Sequence, residues 1–192
     1  GNGIKTLLCD TAAPTPVVSY NVLANKTAGA VIITASHNPA QWNGLKFKSE
    51  YAGSASPETV RQLEEHIGRV GSVRPSSIPL SLAVSQGLVF DIDPHPPYIE
   101  HIKRLVDIEG IKRSGINVVV DAMHGAGRGY LPTLLSGSEG QILEIRTEVN
   151  PAFPGMYQPE PIAQNLARLS ALVVERGADV GIAYDGDADR LG

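Results

Sequence analysis

The sequence has 192 residues, enough for one or two domains of ordinary size, each with its own hydrophobic core. Its 16 lysines and arginines stand against 20 aspartates and glutamates, and the net charge of −4 provides no basic excess for binding a nucleic-acid backbone. Hydrophobic residues make up 42% and charged residues 19%, which is typical of a globular chain and excludes a disordered or coiled-coil one.

The sequence also predicts the compartment. A single cysteine, Cys9, excludes an intrachain disulfide and a cysteine-rich zinc site, and it favours a reducing compartment. No apolar run approaches the ~18 residues of a membrane span, and no secretion signal is visible. We therefore expect a cytoplasmic protein without a nucleic-acid or membrane partner. Because the chain begins at Gly1 rather than at a methionine, and stops at Gly192 just after a strand and a turn, we also expect it to be a piece of a longer protein.

The first third of the chain alternates strand and helix patterns. A proline-rich entry at Pro14 and Pro16 begins a helix that reaches about residue 24. Ser56 and Pro57 supply an N-cap and a first-turn proline for a later helix. Apolar and β-branched stretches predict strands at 6–9, 30–34 and 45–49, and the second helix is expected over 58–69.

Glycine, serine and proline recur between residues 71 and 97, with only a short apolar stretch at 88–90. This texture is typical of a connection between domains. We therefore expect a first domain over 1–85, a linker over 86–97 and a second domain over 98–192.

The second half repeats the alternation of strand and helix. Strands are expected at 116–121, 142–145 and 178–184, and helices at 98–107, from a glycine-rich turn at 125–129 to residue 135, and at 161–176. Strands that alternate with helices indicate mostly parallel sheets. The predicted fold class is α/β, with two consecutive α/β/α units whose mixed, mostly parallel sheets are sandwiched by helices.

Two loops follow predicted strands at the sheet edge where ligands collect in open α/β folds. The first runs from Thr34 to Pro39 and presents Ser36, His37 and Asn38. Taken alone, this loop is more typical of a capped turn than of a nucleophile, and no Gly-x-Ser-x-Gly elbow is present.

The second loop carries alternating carboxylates at Asp185, Asp187 and Asp189, followed by Arg190. On an extended backbone the three carboxylates would point the same way, where they repel unless water, protons or a cation neutralise them. Oxygen ligands favour Mg²⁺, Ca²⁺ or Mn²⁺, and the preceding strand and the arginine at the sixth position argue against a calcium EF-hand. We predict a Mg²⁺ site beside which Arg190 pairs with a phosphate, the alternative being a solvated acidic turn.

Lys46 follows an Asn-Gly turn on the strand that would return beside the serine loop. Read alone it is a surface lysine. Next to a metal and a phosphate, its ammonium would be desolvated and its pKa lowered. The glycine-rich stretch 125–129 is interpreted as a strand-to-helix turn rather than a phosphate cradle.

Together these motifs resemble the α-D-phosphohexomutase superfamily of phosphoglucomutases, phosphomannomutases and phosphoglucosamine mutases. The resemblance rests on Thr-Ala-Ser-His-Asn-Pro around Ser36, on Asn-Gly-x-Lys ending at Lys46, and on Asp-Gly-Asp-Ala-Asp-Arg from Asp185 to Arg190. Pro14-Thr15-Pro16 and the stretch 153–161 also look like that family. The resemblance covers almost the whole chain, as the later part of a first domain and most of a second.

The resemblance implies reversible phosphate transfer between the 1- and 6-positions of a hexose, through a phosphoserine and a hexose 1,6-bisphosphate. Ser36 would carry the phosphoryl group, and Lys46 would be the general base, with His37 in the same catalytic loop. Arg190 and Asn38 would contact phosphate. The metal ligands would be Ser36 and the aspartates at 185, 187 and 189.

The family's amino-terminal arginine loop and its downstream sugar-reading and phosphate-clamping domains have no counterpart in this sequence. The expected partners are therefore a sugar phosphate and those other parts of the same polypeptide, and the chain alone is expected to bind Mg²⁺ without turning over sugar phosphates. Alternatives are a phosphoglucosamine mutase, a non-catalytic phosphate-binding module of the same fold, and a Mg²⁺-dependent phosphatase, which would normally use an aspartate nucleophile. Thr34 and Ala35 before the serine favour glucose or mannose over glucosamine.

Overall fold

A computed structural model describes residues 2–71, 73 and 75–192. The strands are β1 (Thr6–Cys9), β2 (Gly29–Ile33), β3 (Leu45–Ser49), β4 (Val89–Ile92), β5 (Val118–Asp121), β6 (Ile142–Ile145) and β7 (Val180–Ala183). The helices are α1 (Thr15–Ala24), α2 (Pro57–Val70), α3 (Leu80–Ser85), α4 (His95–Leu105), α5 (Ile108–Arg113), α6 (Tyr130–Leu134) and α7 (Ala163–Arg176). The predicted α/β class with two α/β/α units is confirmed.

The second unit is built on a parallel three-stranded sheet in the order β6-β5-β7. The central strand β5 is buried at every position, as its uninterrupted run of β-branched residues requires. Val119 and Ala183 of the sheet pack with Met123 and with Leu169 of α7 in one core cluster. Because β5 and β7 are parallel neighbours, the loops that follow them meet at one edge of the sheet.

The first unit contains a parallel pair, β1-β4, and an antiparallel pair, β2-β3. Helix α1 connects β1 to β2 and buries Val17 and Val22. The β2-β3 register places Ile32 opposite Lys46, so the end of β2 lies beside the start of β3. Ser56 caps α2 by accepting a hydrogen bond from the backbone amide of Thr59 at 3.1 Å, as predicted.

The segment 86–97, expected to be a linker, contains regular secondary structure. Strand β4 lies inside it and pairs with β1 from Thr6↔Val89 to Cys9↔Ile92, and α4 already begins at His95. The sheet of the first unit therefore extends beyond residue 85. Strand β4 is only four residues long, and it pairs with a strand that is distant in sequence. The local sequence is therefore too short to show the hydrophobic periodicity of a strand.

The helix expected over 98–107 is also different in the structure. It begins earlier, as α4, and a second helix, α5, follows directly. Asp107 starts α5 as its N-cap, accepting a hydrogen bond from the backbone amide of Gly110 at 2.8 Å. This aspartate therefore separates two short helices rather than ending one.

The two units meet where α1 lies against α4 and the segment before it. The buried Asn21 side chain of α1 donates to the backbone carbonyl of Pro94 at 2.7 Å. The ring of Tyr20 stacks on that of His101 with centroids 4.4 Å apart. Within the described ranges, no helix has both the length and the apolar character needed to cross a membrane.

Candidate functional site

The serine loop leaves the end of β2 in a tight turn. Ser36 has a left-handed backbone with φ of +54°, a conformation that L-residues avoid because of steric crowding at Cβ. Its backbone amide donates to Thr34 Oγ1 at 2.8 Å, and the amide of Asn38 donates to the carbonyl of Ala35 at 2.9 Å. These two bonds fix the backbone of the turn that carries Ser36.

Two basic side chains face that hydroxyl. Lys46 Nζ on β3 lies 3.3 Å from Ser36 Oγ, as the register of the hairpin dictates. Nδ1 of His37 lies 3.4 Å from the same oxygen. The predicted proximity of Ser36 and Lys46 is therefore present. Asn38 is exposed at the rim of the loop.

The acidic loop connects β7 to a short return of the chain, where Tyr184 bridges to Leu191. Its backbone is a turn, not the extended segment that alternation suggested: Ala188 has φ of +52°, and its amide donates to the carbonyl of Asp185 at 3.1 Å. The turn nevertheless gathers the three carboxylates, each with one oxygen within 4.8 Å of the others. Asp185 and Asp187 are buried and Asp189 is exposed.

Asp187 connects the acidic loop to the first unit. Its Oδ2 accepts hydrogen bonds from Thr15 Oγ1 at 2.7 Å, Thr34 Oγ1 at 3.1 Å and Lys46 Nζ at 2.7 Å. Lys46 Nζ also lies 2.8 Å from Oδ2 of Asp189. One lysine therefore contacts two carboxylates and the serine hydroxyl, and the candidate site includes residues from both units.

The remaining carboxylate oxygens fit a cation. Oδ2 of Asp185 and Oδ1 of Asp187 are buried and have no hydrogen-bond partner within residues 2–71, 73 and 75–192. Unpaired buried oxygens with negative charge are costly unless a cation neutralises them. The three-aspartate cluster could hold a metal ion, and an all-oxygen donor set suits Mg²⁺, Mn²⁺ or Ca²⁺.

The two buried aspartates differ in acidity. Burial raises the pKa of Asp185, and the neighbouring charges of Asp187 and Asp189 raise it further. Burial acts in the same direction on Asp187, but hydrogen bonds from Lys46 and the two threonines bring its pKa below the ordinary value. The lowering of the Lys46 pKa is expected for a lysine next to a metal and a phosphate. Among the protein's own groups, burial acts downward on this pKa, but hydrogen bonds from Lys46 to the two aspartates outweigh it and raise the pKa. Lys46 is therefore held as an ammonium.

The glycine-rich stretch has a role that the sequence did not indicate. The amide of Ala126 donates to the carbonyl of Gly186 in the acidic loop at 2.9 Å. A Cβ at Gly125 would lie 2.6 Å from that carbonyl oxygen, and a Cβ at Gly186 would lie 2.6 Å from the carbonyl oxygen of Ser36. Three loops therefore pack backbone against backbone, and glycines at 125 and 186 allow the close approach.

Arg190 lies at the edge of this site. Its Nη1 donates to Glu160 Oε1 at 2.8 Å, and its Nε is 3.9 Å from Asp185 Oδ2. The hydrogen bonds of its guanidinium within the described ranges go to Glu160 and not to Ser36, so its contact with phosphate stays a prediction. Sequence reasoning missed the role of Glu160, although the family-like stretch 153–161 contains it. It also missed the contacts of Thr15 and Thr34 with Asp187, whose signals were the Pro-Thr-Pro entry and the threonine two residues before Ser36.

Comparison with known proteins extends this description. The family model for phosphoglucomutase/phosphomannomutase, α/β/α domain II, matches residues 96–192, and the model for domain I matches residues 1–74. A phosphoglucomutase/phosphomannomutase of Thermococcus kodakarensis is 33% identical over 193 residues, covering 98% of this chain and 41% of the relative. A phosphoglucosamine mutase of a Thermoanaerobacter species is 32% identical, covering 93% of this chain and 38% of the relative.

A solved structure agrees with these matches. The protein from Thermus thermophilus, named as a candidate phosphomannomutase, superposes with a TM-score of 0.82 at 32% identity, over 99% of this chain and 41% of its own. The chain thus spans 41% or less of the length of these relatives. Both loops of the site lie within the matched regions, while α3 and β4 lie in the stretch between them. The chain belongs to the phosphoglucomutase/phosphomannomutase family and carries its α/β/α domains I and II.

Proposed function

We propose that this chain is the phosphoryl-carrying part of a cytoplasmic mutase that interconverts hexose 1-phosphate and hexose 6-phosphate, with glucose or mannose phosphates as substrates. The observation that carries the proposal is the meeting of Ser36 Oγ, Lys46 Nζ and three clustered carboxylates across two units. The names of the relatives support this reaction class. Hexose 1,6-bisphosphate would be both intermediate and activator.

In this proposal Ser36 Oγ holds the phosphoryl group between two transfers to the sugar. Lys46 Nζ, 3.3 Å away, donates its proton to Oγ as the phosphoryl group leaves and accepts it again when the serine is rephosphorylated. The positive charge of Lys46 also stabilises the phosphoryl group in transit. The neighbouring His37 ring orients the serine hydroxyl.

Ser36 together with Asp185, Asp187 and Asp189 would hold the Mg²⁺ ion. When bound, this ion supplies positive charge that neutralises the oxygens of the transferring group. Asp185 Oδ2 and Asp187 Oδ1 support this assignment, because both are buried and neither has a hydrogen-bond partner among the described residues. Arg190 and Asn38 would contact phosphate from the rim.

Phosphorylation of Ser36 tests the proposal. Incubation of the chain with Mg²⁺ and glucose 1,6-bisphosphate should add one phosphoryl group, and peptide mass spectrometry should place it on Ser36. Ser36→Ala should remove this signal entirely, whereas Ser54→Ala, a matched change at an exposed serine of the same unit, should leave it intact. Phosphate on an aspartate would instead support a phosphatase, and no uptake of phosphate would support a non-catalytic module.

The share of the relatives that this chain covers supports a second part of the proposal. Because it spans 41% of the Thermococcus relative, we expect no steady turnover of sugar phosphates by the chain alone. A coupled assay with robust mutase activity would contradict this expectation. The names of several relatives keep phosphoglucosamine mutase as the second candidate, and faster phosphorylation of Ser36 by glucosamine 1,6-bisphosphate than by the glucose compound would favour it.

A further inference from the structure

Two threonine hydroxyls of the first unit meet one oxygen of the acidic loop. Thr15 Oγ1 donates to Asp187 Oδ2 at 2.7 Å, and the backbone amide of Thr15 donates to the carbonyl of Asp187 at 2.9 Å. Thr34 Oγ1 donates to the same Oδ2 at 3.1 Å. Thr15 is only 3% exposed, so its hydroxyl has little access to water as an alternative partner.

The two carboxylate oxygens of Asp187 differ in their hydrogen bonding. Oδ2 accepts from both threonines and from Lys46, whereas Oδ1 is buried without a hydrogen-bond partner in the described part of the chain. Three donors on one oxygen prevent the carboxylate from rotating. They leave Oδ1 as the single oxygen that Asp187 can offer to a cation.

The Thr34 hydroxyl makes a second hydrogen bond that the Thr15 hydroxyl does not make. Its Oγ1 accepts from the backbone amide of Ser36 at 2.8 Å while it donates its own proton to Asp187. One hydroxyl thus connects the left-handed backbone at Ser36 to the carboxylate. A shift of Asp187 would move Thr34 Oγ1 and release the constraint on Ser36.

From these contacts we infer that Thr15 and Thr34 are positioning residues that make Asp187 a one-oxygen ligand of the cation, and that Thr34 couples cation binding to the conformation of the Ser36 loop. The inference rests on the proposed function, in which the aspartates hold Mg²⁺ and Ser36 carries the phosphoryl group. It adds a selectivity: Mg²⁺ requires near-octahedral geometry with single-oxygen ligands, whereas Ca²⁺ accepts carboxylates that bind through both oxygens.

Valine replaces threonine with nearly the same shape but without the hydroxyl, and serine retains the hydroxyl. Calorimetric titration should show Mg²⁺ affinity about 10–100-fold weaker in Thr34→Val and Thr15→Val, the range expected when a hydrogen bond to a metal ligand is removed. Ca²⁺ affinity should fall much less, so the preference for Mg²⁺ over Ca²⁺ decreases. Thr34→Ser and Thr15→Ser, which keep the hydroxyl, should retain the wild-type preference for Mg²⁺ over Ca²⁺.

Thr27→Val is the matched control, because Thr27 Oγ1 is half-buried in the same unit and donates to the carbonyl of Gly29 at 3.2 Å, away from the acidic loop. It should leave the Mg²⁺/Ca²⁺ preference unchanged. The ratio separates positioning from a general loss of stability, since a loosened fold weakens both cations together. If Thr34→Val does not fold, Thr15→Val still tests whether the threonine hydrogen bonds position Asp187, because it leaves the bond to the Ser36 amide in place. The coupling to the Ser36 loop is then tested by amide hydrogen exchange at Ser36, measured with and without Mg²⁺ in the wild-type and Thr34→Ser proteins.

The two valine variants should also differ from each other. Phosphorylation of Ser36 at saturating Mg²⁺ should be slowed more by Thr34→Val than by Thr15→Val, because only the Thr34 hydroxyl also bonds the Ser36 amide. Unchanged cation preference in both valine variants, with Mg²⁺ binding and Ser36 phosphorylation intact in the wild type, would overturn the inference alone. Absence of Mg²⁺ binding or of Ser36 phosphorylation in the wild type would overturn the proposed function itself.

Discussion

Three aspartates two positions apart in the acidic loop have unequal environments. Asp185 has no exposed surface, Asp187 is 6% exposed, and Asp189 lies at the surface. Burial and neighbouring carboxylates raise the pKa of Asp185, while Lys46 and two threonines lower that of Asp187. At the scale of single residues, the negative charge of Asp185, the most buried of the three carboxylates, is therefore costly when no cation is bound.

This imbalance predicts that Asp185→Asn stabilises the metal-free protein. The amide keeps an oxygen to accept from the backbone amides of Asp189 and Arg190, which donate to Asp185 Oδ1 at 3.0 and 3.1 Å, and it removes the buried charge. Because the folded pKa of Asp185 lies above its unfolded value, the wild type loses stability as pH rises between those two values. The thermal midpoint of the variant should exceed that of the wild type by an amount that grows above about pH 3.9 and then levels off.

Thermal unfolding in chelator over a series of pH values measures this difference. Asp91→Asn, which alters an exposed aspartate on β4, serves as the control and should not reproduce the gain. The same Asp185→Asn protein should lose its response to Mg²⁺. A lower thermal midpoint for the variant than for the wild type at neutral pH would contradict the interpretation that the buried charge of Asp185 destabilises the metal-free protein.

At the scale of elements, the site depends on the crossing of loops rather than on the helices and strands themselves. The acidic loop passes between the serine loop and the glycine-rich loop at Gly186. The amide of Gly186 also donates to the carbonyl of Pro159 at 3.0 Å, so a fourth segment meets the same point. A side chain has no space there.

Gly186→Ala should therefore disturb the site in a way that an ordinary Gly→Ala change does not. The new Cβ would lie 2.6 Å from the carbonyl oxygen of Ser36 and 3.0 Å from Cγ of Pro159, so the loops must separate. We expect a loss of about 1–3 kcal/mol in the free energy of unfolding, typical of overpacking, together with weaker Mg²⁺ binding.

Gly68→Ala is the matched control, since Gly68 lies within α2 and a Cβ there meets nothing within 4 Å. This change should raise stability by about 0.5–1 kcal/mol, because alanine is the better helix former. Urea unfolding of both variants measures the difference. Equal behaviour of the two would mean that the loops do not require close backbone contact.

At the scale of the whole molecule, the site depends on contacts between the two units. Thr15, Thr34 and Lys46 of the first unit all bond to Asp187 of the second. The α1 side chain Asn21 and the Tyr20–His101 stack join the units elsewhere. A cation bound by the acidic loop should therefore stabilise both units, not only the one that contains the three aspartates.

Hydrogen exchange tests this expectation. Saturating Mg²⁺ should increase amide protection in peptides from the β2-β3 hairpin as well as from β7, and a concentration about 100-fold above the Kd corresponds to about 2.7 kcal/mol of stabilisation. Asp185→Asn should abolish the increase in both places. Added protection limited to the second unit would show that the units respond independently.

Part of this protein could be predicted from the sequence alone. The strands 6–9, 30–34, 45–49 and 142–145 agree closely with the structure because apolar period and β-branched residues act locally. The cap at Ser56 is correct for the same reason. The serine, lysine and aspartates of the site could be selected because their spacing carries a family pattern.

Other features depended on contacts between distant parts of the chain. Strand β4 becomes a strand by pairing with β1, and the raised pKa of Lys46 follows from two carboxylates more than a hundred residues away in sequence. The same is true of the hydrogen bonds from Thr15 and Thr34 to Asp187, and of the close contact between the backbones of Gly186 and Ser36. Local pattern determined which segments form strands and helices and which residue types are available for chemistry. Only the tertiary structure decided which oxygen faces which donor, because hydrogen bonding and desolvation depend on distances of a few ångströms between segments that sequence order does not relate.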